Sequence, residues 1–364
     1  MNAKEGSSSC ATKPNRKLAR EEEHRRRMHG KLIDLCFEDV TCRRNGVPDF
    51  IQEHLLFCVK GSKSQFNART TAMSSVLPPL TNDCCQTFAT LSAVLLSSLG
   101  FAVMLSECCT TSTVNYLLYI SAWMHQLTLP FWPSKGARPT TSDLNRCLHL
   151  REFFPSRVEE TQFDIVFYNQ PEKVMRLLNS MCTSYTRKRP RSSDGLTDIC
   201  GYVIVSGDYT VSVFSICHDT KDNASSRYAE AWSFYICDSH GTQPWSQGTA
   251  CLCGVTFGEL KENVRRDSSG SRLTLSRQEG VQWFSSILCI LLEEHRKSGV
   301  AAKNKVPYMT WTPIMRQREK VLTVRELITR IDEEWIPCVF SDPNVEGEAQ
   351  KRKCALRKCF MGVV

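Results

Sequence analysis

The sequence shows no pattern typical of a secretory signal peptide, so none is expected, and its cysteines follow no regular spacing. There are 19 cysteines, an odd number, so a framework of paired disulfides like that of small secreted proteins is not expected. We expect the chain to work in a reducing compartment, the cytoplasm or the nucleus, with most cysteines buried as small hydrophobic side chains. No internal repeat is present either, which excludes a repeat architecture.

An excess of positive charge is missing from most of the chain. The formal net charge is +8, but residues 13–31, the RKRPR sequence at 187–191 and residues 350–364 carry the excess of Lys and Arg, and the remainder is net acidic. Such segments attract phosphate or act as nuclear-import signals. We therefore do not expect the body of the protein to bind nucleic acid. A nucleic-acid-associated protein that uses only these segments is an alternative.

Two long runs contain no charged residue at all. They cover residues 88–105 and 114–133. Eighteen uncharged residues reach the length of a membrane span, but serine and glycine dilute the first run, and Asn115, His125 and Gln126 interrupt the second. We therefore predict buried helices and not a membrane hairpin.

Composition divides the chain into four parts. Residues 1–31 are predicted to be a basic, disordered arm with a short helix, and residues 346–364 a basic tail. Residues 32–60 are predicted to form a small unit, and residues 61–345 the main domain, with an exposed insertion at 183–196. Helical segments precede strands in the main domain, which is typical of an α+β fold.

Strand patterns dominate the second half of the main domain. Residues 201–216 alternate around Gly207-Asp208, which predicts a β-hairpin. Residues 231–238 and 249–257 are predicted to be further strands. Ser276 is predicted to cap the helix that follows them.

Two stretches of sequence predict a thiol active site, and the first is LTNDCCQTFATLSAVLL. In it Cys84 and Cys85 fall in the first turn of the longest apolar helix, after three good N-cap residues, Thr81, Asn82 and Asp83. The positive end of a helix favours the nucleophilic thiolate. We favour Cys85 as the nucleophile because the helix is under way there, and Cys84 is the alternative.

The second stretch, WSFYICDSHG, ends a predicted strand. Asp238 and His240 are two residues apart and so point to the same side of a strand. A carboxylate in this position holds an imidazole in one tautomer, as a catalytic base requires. Gly241 then leads the chain into a loop, which leaves the imidazole at a sheet edge. His218 is a weaker candidate base, since a polar loop follows it and no apolar strand fixes it.

A cysteine at the start of a buried helix, followed far downstream by a strand that ends Asp-x-His-Gly, resembles a branch of papain-like cysteine peptidases. The branch includes the deubiquitinase domain of herpesvirus large tegument proteins, the ubiquitin-fold-modifier-specific proteases and the autophagy cysteine proteases. The resemblance covers roughly residues 60–300. It implies a papain-like α+β fold with Cys85 as nucleophile, His240 as general base and acid, and Asp238 as the orienting acid.

The family usually has a Gln or Tyr upstream of the cysteine that helps to hold the oxyanion, and here the chain departs from the pattern. Gln65 lies twenty positions before Cys85, further than the family pattern has it, and Asn82 lies closer but in a cap position. Both are candidates.

The resemblance implies a cysteine isopeptidase that cleaves conjugates of ubiquitin or a ubiquitin-like modifier and needs no cofactor for catalysis. The alternative is a non-catalytic binding or scaffold protein. In that case Asp-Ser-His-Gly is an ordinary turn, and Cys84 and Cys85 are buried thiols.

The small N-terminal unit contains a possible zinc-ligand set, Cys36, Cys42, His54 and Cys58. His54 and Cys58 are four residues apart on a helix predicted to begin near Pro48, so they project from one face. With two thiolates ahead of this helix, a tetrahedral Cys3His site for one structural zinc is predicted. The second half resembles ubiquitin-binding zinc fingers, whereas the two leading cysteines are more widely spaced than usual. The alternative is a helical hairpin with two cysteines on its apolar face.

Overall fold

The computed structural model describes eleven segments of the chain, and they contain both helices and strands. These segments are residues 57–65, 84–99, 110–128, 139–159, 162–186, 196–219, 228–241, 248–260, 276–297, 306–317 and 321–339.

One eight-stranded sheet forms the centre of the described structure. Its strands are β1 (Phe57–Lys60), β2 (Ser156–Val158), β3 (Asp164–Phe167), β4 (Leu196–Ser206), β5 (Tyr209–Asp219), β6 (Tyr228–Asp238), β7 (Cys251–Leu260) and β8 (Tyr308–Gln317). The strand order is β1-β7-β6-β5-β4-β8-β2, and β3 also pairs with β8. All these pairs are antiparallel. The predicted α+β class, with helices first and a mostly antiparallel sheet afterwards, is confirmed.

Helices cover both faces of the sheet. They are α1 (Cys85–Ser97), α2 (Thr111–Thr128), α3 (Thr141–Cys147), α4 (Leu150–Phe153), α5 (Pro171–Thr186), α6 (Arg277–Lys297), α7 (Val324–Thr329), a π-helical segment (Arg330–Trp335) and α8 (Ile336–Val339). One core cluster joins α1 and α2 to the sheet residues that face them, such as Phe214. A second cluster joins α5 and α6 to the alternate sheet residues, such as Val213. Because successive strand side chains point to opposite faces, the two clusters share the same strands.

The first part of the first uncharged run, up to Ser97, lies in the buried helix α1 as predicted, and residues 100–105 lie outside the described residues. Twelve of the thirteen residues of α1 are buried, and α1 packs against β4, β5 and β6. The second run supplies most of α2, whose side chains also lie mainly in the core. None of the helices in the described part of the chain is both long enough and apolar enough to cross a membrane.

Local sequence signals set several other elements as predicted. The turn at 207–208 joins β4 to β5, as the hairpin pattern indicates. Ser276 caps α6, since its hydroxyl accepts from the Glu279 backbone N–H and the Glu279 carboxylate accepts from the Ser276 N–H. The insertion predicted at 183–196 is too long at both ends, because α5 extends to Thr186 and β4 begins at Leu196.

The helix predicted to carry Cys58 is wrong at its C-terminal end. Phe57–Lys60 is strand β1, with Cys58 opposite Cys253 of β7. Hydrogen bonding to the edge of the sheet outweighs the local helical periodicity, so these residues belong to the main sheet and not to the unit predicted at 32–60. The zinc site stays a prediction. Cys36, Cys42 and His54 lie outside the described residues, as do the N-terminal arm and the basic tail.

Strand β3 leaves apolar side chains in solvent. Val166 is buried in the core under α5, whereas its neighbours Ile165 and Phe167, on the opposite face, are each 43% exposed. A short strand at the sheet margin therefore has one buried side and one open side.

Candidate active site

The first part of the site is the N-terminus of α1. Cys84 is the N-cap residue and makes no side-chain capping hydrogen bond, and Cys85 is the first helical residue. The predicted cap residues 81–83 lie outside the described residues, and the cap falls one position later than the latest of them. No acidic residue lies in the first turn. No acidic side chain of the first turn of α1 therefore opposes the effect of the positive helix end on the thiol of Cys85.

The second part is the turn that follows β6. Asp238 is fully buried and His240 is 4% exposed. The His240 Nδ1 lies 2.5 Å from Asp238 Oδ1, and the same oxygen accepts a hydrogen bond of 3.0 Å from the His240 backbone N–H. These two contacts fix both the position and the tilt of the imidazole. They also assign Nδ1 to the carboxylate, which leaves Nε2 as the nitrogen for proton transfer.

The structure brings Cys85 and His240 together from positions 155 residues apart in the sequence. Cys85 is 3% exposed. Burial alone would lower the pKa of His240, but the charge and hydrogen bond of Asp238, together with the hydrogen bond and charge of Cys85, raise that pKa to about 9. The imidazole is therefore protonated at neutral pH. A protonated imidazole beside a thiol favours the thiolate.

Two further groups lie at this site that sequence reasoning missed. The Cys85 Sγ lies 3.9 Å from the backbone carbonyl oxygen of Asp208, in the β4–β5 turn. The ring of Tyr209 lies over the imidazole of His240, with 4.4 Å between the centroids. The hairpin pattern at Gly207-Asp208 predicted the turn, but nothing local in the sequence indicates that this turn lies against Cys85.

Gln65, a candidate oxyanion residue, is buried beside these groups. Its backbone N–H donates to the carbonyl oxygen of Ser239 at 3.0 Å, and its side-chain Oε1 accepts a 3.0 Å hydrogen bond from the Ser239 hydroxyl. The Cys84 Sγ lies 3.8 Å from the same Oε1. The other candidate, Asn82, lies outside the described residues.

The structure also places Cys84, the alternative nucleophile, and His218, the alternative base. The thiol of Cys84 is directed to Gln65, whereas the thiol of Cys85 interacts with His240, which favours Cys85 as the nucleophile. His218 is nine residues along β5 from Tyr209. This corresponds to about 30 Å of extended strand, too far to serve the same thiol. The catalytic roles of Cys85, His240 and Asp238 stay predictions.

No group of three or more His, Cys, Asp or Glu side chains within the described segments is arranged to hold a metal ion. Comparisons of the chain with protein-family models, with curated proteins and with solved structures found no match. The function is therefore inferred from the geometry of the site itself.

Proposed function

We propose that the protein is a cysteine hydrolase of the papain-like type. The observation that carries the proposal is the contact between Cys85, at the positive end of a buried helix, and His240, which Asp238 holds in one orientation. A nucleophile, a base and an orienting acid in this order are what acyl transfer by a thiol requires. A helix that carries the thiol and an antiparallel sheet that carries the imidazole also suit the papain-like fold.

In the proposed reaction the Cys85 proton resides on His240 in the resting site. The thiolate attacks the substrate carbonyl carbon and forms a C–S bond. His240 then protonates the leaving amine nitrogen as the C–N bond breaks, which leaves a thioester. Water attacks the thioester while His240 takes its proton, the C–S bond breaks, and the thiol is regenerated with the release of a carboxylic acid.

The negative oxygen of the tetrahedral intermediate needs hydrogen-bond donors. The backbone N–H at the start of α1 is one, since the first N–H groups of a helix have no partner within it. The Gln65 side chain supplies the second. Its Oε1 accepts from Ser239, so its Nε2 is the end that remains to donate.

We infer that the substrate is a conjugate of ubiquitin or a ubiquitin-like modifier, cleaved at the C-terminal glycine of the modifier. Burial of both Cys85 and His240 supports this inference. A covered thiol is reached only by a slender chain, and an extended tail that ends in glycine is the thinnest peptide available. The reaction needs no cofactor, and a free thiol nucleophile suits the cytoplasm or the nucleus.

Suicide probes test this proposal directly. Wild-type protein, Cys85→Ala, Cys84→Ala and His240→Ala would each be incubated with ubiquitin vinyl sulfone and with the vinyl sulfone of the ubiquitin-fold modifier. We expect the wild type and Cys84→Ala to form a covalent adduct with at least one probe. We expect Cys85→Ala to form none and His240→Ala to react at least about a hundredfold more slowly, as expected for loss of a general base.

Two labelling results would contradict the proposal. If no probe labels the wild type, or if Cys85→Ala still reacts, the hydrolase proposal is wrong. The buried thiol would then belong to a binding or scaffold protein, the alternative function that the burial of Cys85 also allows.

A further inference from the structure

Gln65 is held by a short segment that crosses the end of the sheet. This segment, residues 61–65, follows β1 and is called the strap. The Gly61 N–H donates to the carbonyl oxygen of Ala250 at 2.8 Å, and the Ala250 N–H donates to that of Lys63 at 2.8 Å. The Gln65 N–H also donates to Ser239. Backbone hydrogen bonds therefore join the strap to both ends of the β6–β7 connection, at Ser239 and at Ala250.

Helix α2 fixes the strap from its other side. The Ser62 N–H donates to Asn115 Oδ1 at 2.7 Å, and the Asn115 Nδ2 donates to the Ser62 hydroxyl at 3.0 Å. A Cβ on Gly61 would come within 3.0 Å of both Asn115 and Val114, so the close approach depends on glycine. The backbone of Gln65 is therefore preorganised. Its side chain still has rotatable bonds, including the one that exchanges the oxygen and nitrogen of the amide.

Ser239 removes that remaining freedom. It lies between Asp238 and His240, is fully buried, and its hydroxyl donates to Gln65 Oε1. We propose that Ser239 is a positioning residue, which orients the Gln65 carboxamide so that Nε2 donates to the oxyanion. The inference rests on the proposed function. It links the orientation of the base to that of the oxyanion donor, because both are set by one three-residue turn.

The expected effect of Ser239→Ala on kcat depends on how the Gln65 carboxamide behaves without the Ser239 hydroxyl. Without Ser239 only the longer 3.8 Å contact from the Cys84 sulfur still holds the amide oxygen, so the amide rotates more readily, and an oxygen that faces the oxyanion repels it. Complete loss of one oxyanion donor lowers kcat by about 100-fold to 1,000-fold. Loss of the Gln65 side-chain orientation alone removes only part of the contribution of that donor to kcat. We therefore expect Ser239→Ala to lower kcat about tenfold.

The test compares Ser239→Ala with Ser233→Ala. Ser233 is also fully buried on β6, and its hydroxyl lies 2.7 Å from that of Thr256, so its substitution removes a similar hydrogen bond far from Gln65. For each variant, kcat and KM would be measured on the C-terminal fluorogenic amide of the modifier whose vinyl sulfone labels the wild type. Alkylation of Cys85 by iodoacetamide would be followed in parallel by mass spectrometry of its peptide.

The alkylation rate distinguishes a loss of oxyanion stabilisation from a loss of thiolate reactivity. Displacement of iodide at a saturated carbon creates no oxyanion, so it reports only the thiolate. We expect Ser239→Ala to lower kcat about tenfold with KM and the alkylation rate unchanged, and Ser233→Ala to change none of the three. In a Gln65→Met background, Ser239→Ala should add no further loss. If Ser239→Ala does not fold, Ser239→Cys keeps the volume with a weaker donor, and it should lower kcat by a smaller factor.

Three results would overturn the inference. They are a kcat for Ser239→Ala equal to that of Ser233→Ala, an equal fall in alkylation, and a full additional loss in the Gln65→Met background. Each of these leaves the proposed hydrolase intact, provided that the wild type is labelled. A wild type that reacts with no probe overturns both proposals together.

Discussion

The imidazole of His240 shows how neighbours can outweigh burial at a single residue. Its surroundings should favour the neutral ring, yet the Asp238 carboxylate and the Cys85 sulfur raise its pKa to about 9. Tyr209 adds a ring face to the same imidazole, and an aromatic face attracts a cation. The resting site is therefore best described as an imidazolium between a carboxylate and a sulfur.

Raising this pKa makes the stability of the protein depend on pH. The pKa of His240 in the unfolded chain is near 6.5, below the value of about 9 in the folded protein, so the folded state binds the proton more tightly. In the wild type that proton comes from Cys85, so the Cys85→Ala background isolates the ring. There the Asp238 carboxylate still raises the pKa of His240, and the resulting stabilisation is complete below pH 6.5 and is lost as the pH rises through the folded-state pKa. Urea unfolding of Cys85→Ala and of Cys85→Ala/His240→Gln between pH 6 and pH 10 checks this.

We expect the difference in free energy of unfolding between the two proteins to shrink across that window, since Gln does not titrate. Parallel curves for the two variants would show that the proton on His240 does not couple to folding.

Elements whose signals are local in the sequence could be predicted, and contacts between distant elements could not. The Gly207-Asp208 hairpin, the Ser276 cap and the buried helix α1 each follow from patterns within about twenty residues. The strand at 57–60 forms only because β7 offers it an edge, and that edge lies almost 200 residues away. The hydrogen bond from Ser239 to Gln65 joins residues 174 positions apart. Spacing could therefore suggest the pair Cys85 and His240, but it could not show that Gln65 contacts Ser239 and Cys84.

At the scale of the β6–β7 connection, glycine geometry sets the course of the chain after His240. Gly241 has φ of 68°, and a Cβ there would lie 2.5 Å from the carbonyl carbon of Gly248. Gly248 has φ of 84° but nothing within 4 Å of a Cβ. We expect Gly248→Ala to cost about 1–2 kcal/mol for the left-handed conformation alone, and Gly241→Ala to cost more because of the added clash.

Thermal unfolding of the two variants measures the difference, and the labelling rate with a vinyl sulfone probe reports the position of His240. Gly241→Ala should slow labelling, whereas Gly248→Ala should not. Equal losses of stability in the two variants would mean that the close approach of the two glycines is not required.

At the scale of the described molecule, two cores enclose the sheet, and its β3 margin carries exposed apolar side chains. An exposed apolar edge strand invites association between chains. We expect Ile165→Lys and Phe167→Lys to raise the concentration at which the protein aggregates and to change the free energy of unfolding by no more than about 0.5 kcal/mol, since both side chains are already half in solvent. Val166→Lys, which places a charge in the core, is the matched variant and should unfold the protein.

Static light scattering over a range of protein concentrations measures the first effect, and urea unfolding measures the second. A large loss of stability in Ile165→Lys would mean that this side chain packs on the core after all.

The strap joins Gln65 to a short strand at one margin of the sheet. Strand β1 contributes four residues and, within the described segments, pairs with β7 alone. The thiol and imidazole, in contrast, are anchored in the long central elements α1 and β6. Release of the strap together with β1 would withdraw Gln65 and leave Cys85 beside His240. On the proposed mechanism such a form keeps its nucleophile but loses an oxyanion donor, so it would capture a reactive carbonyl compound but turn over poorly.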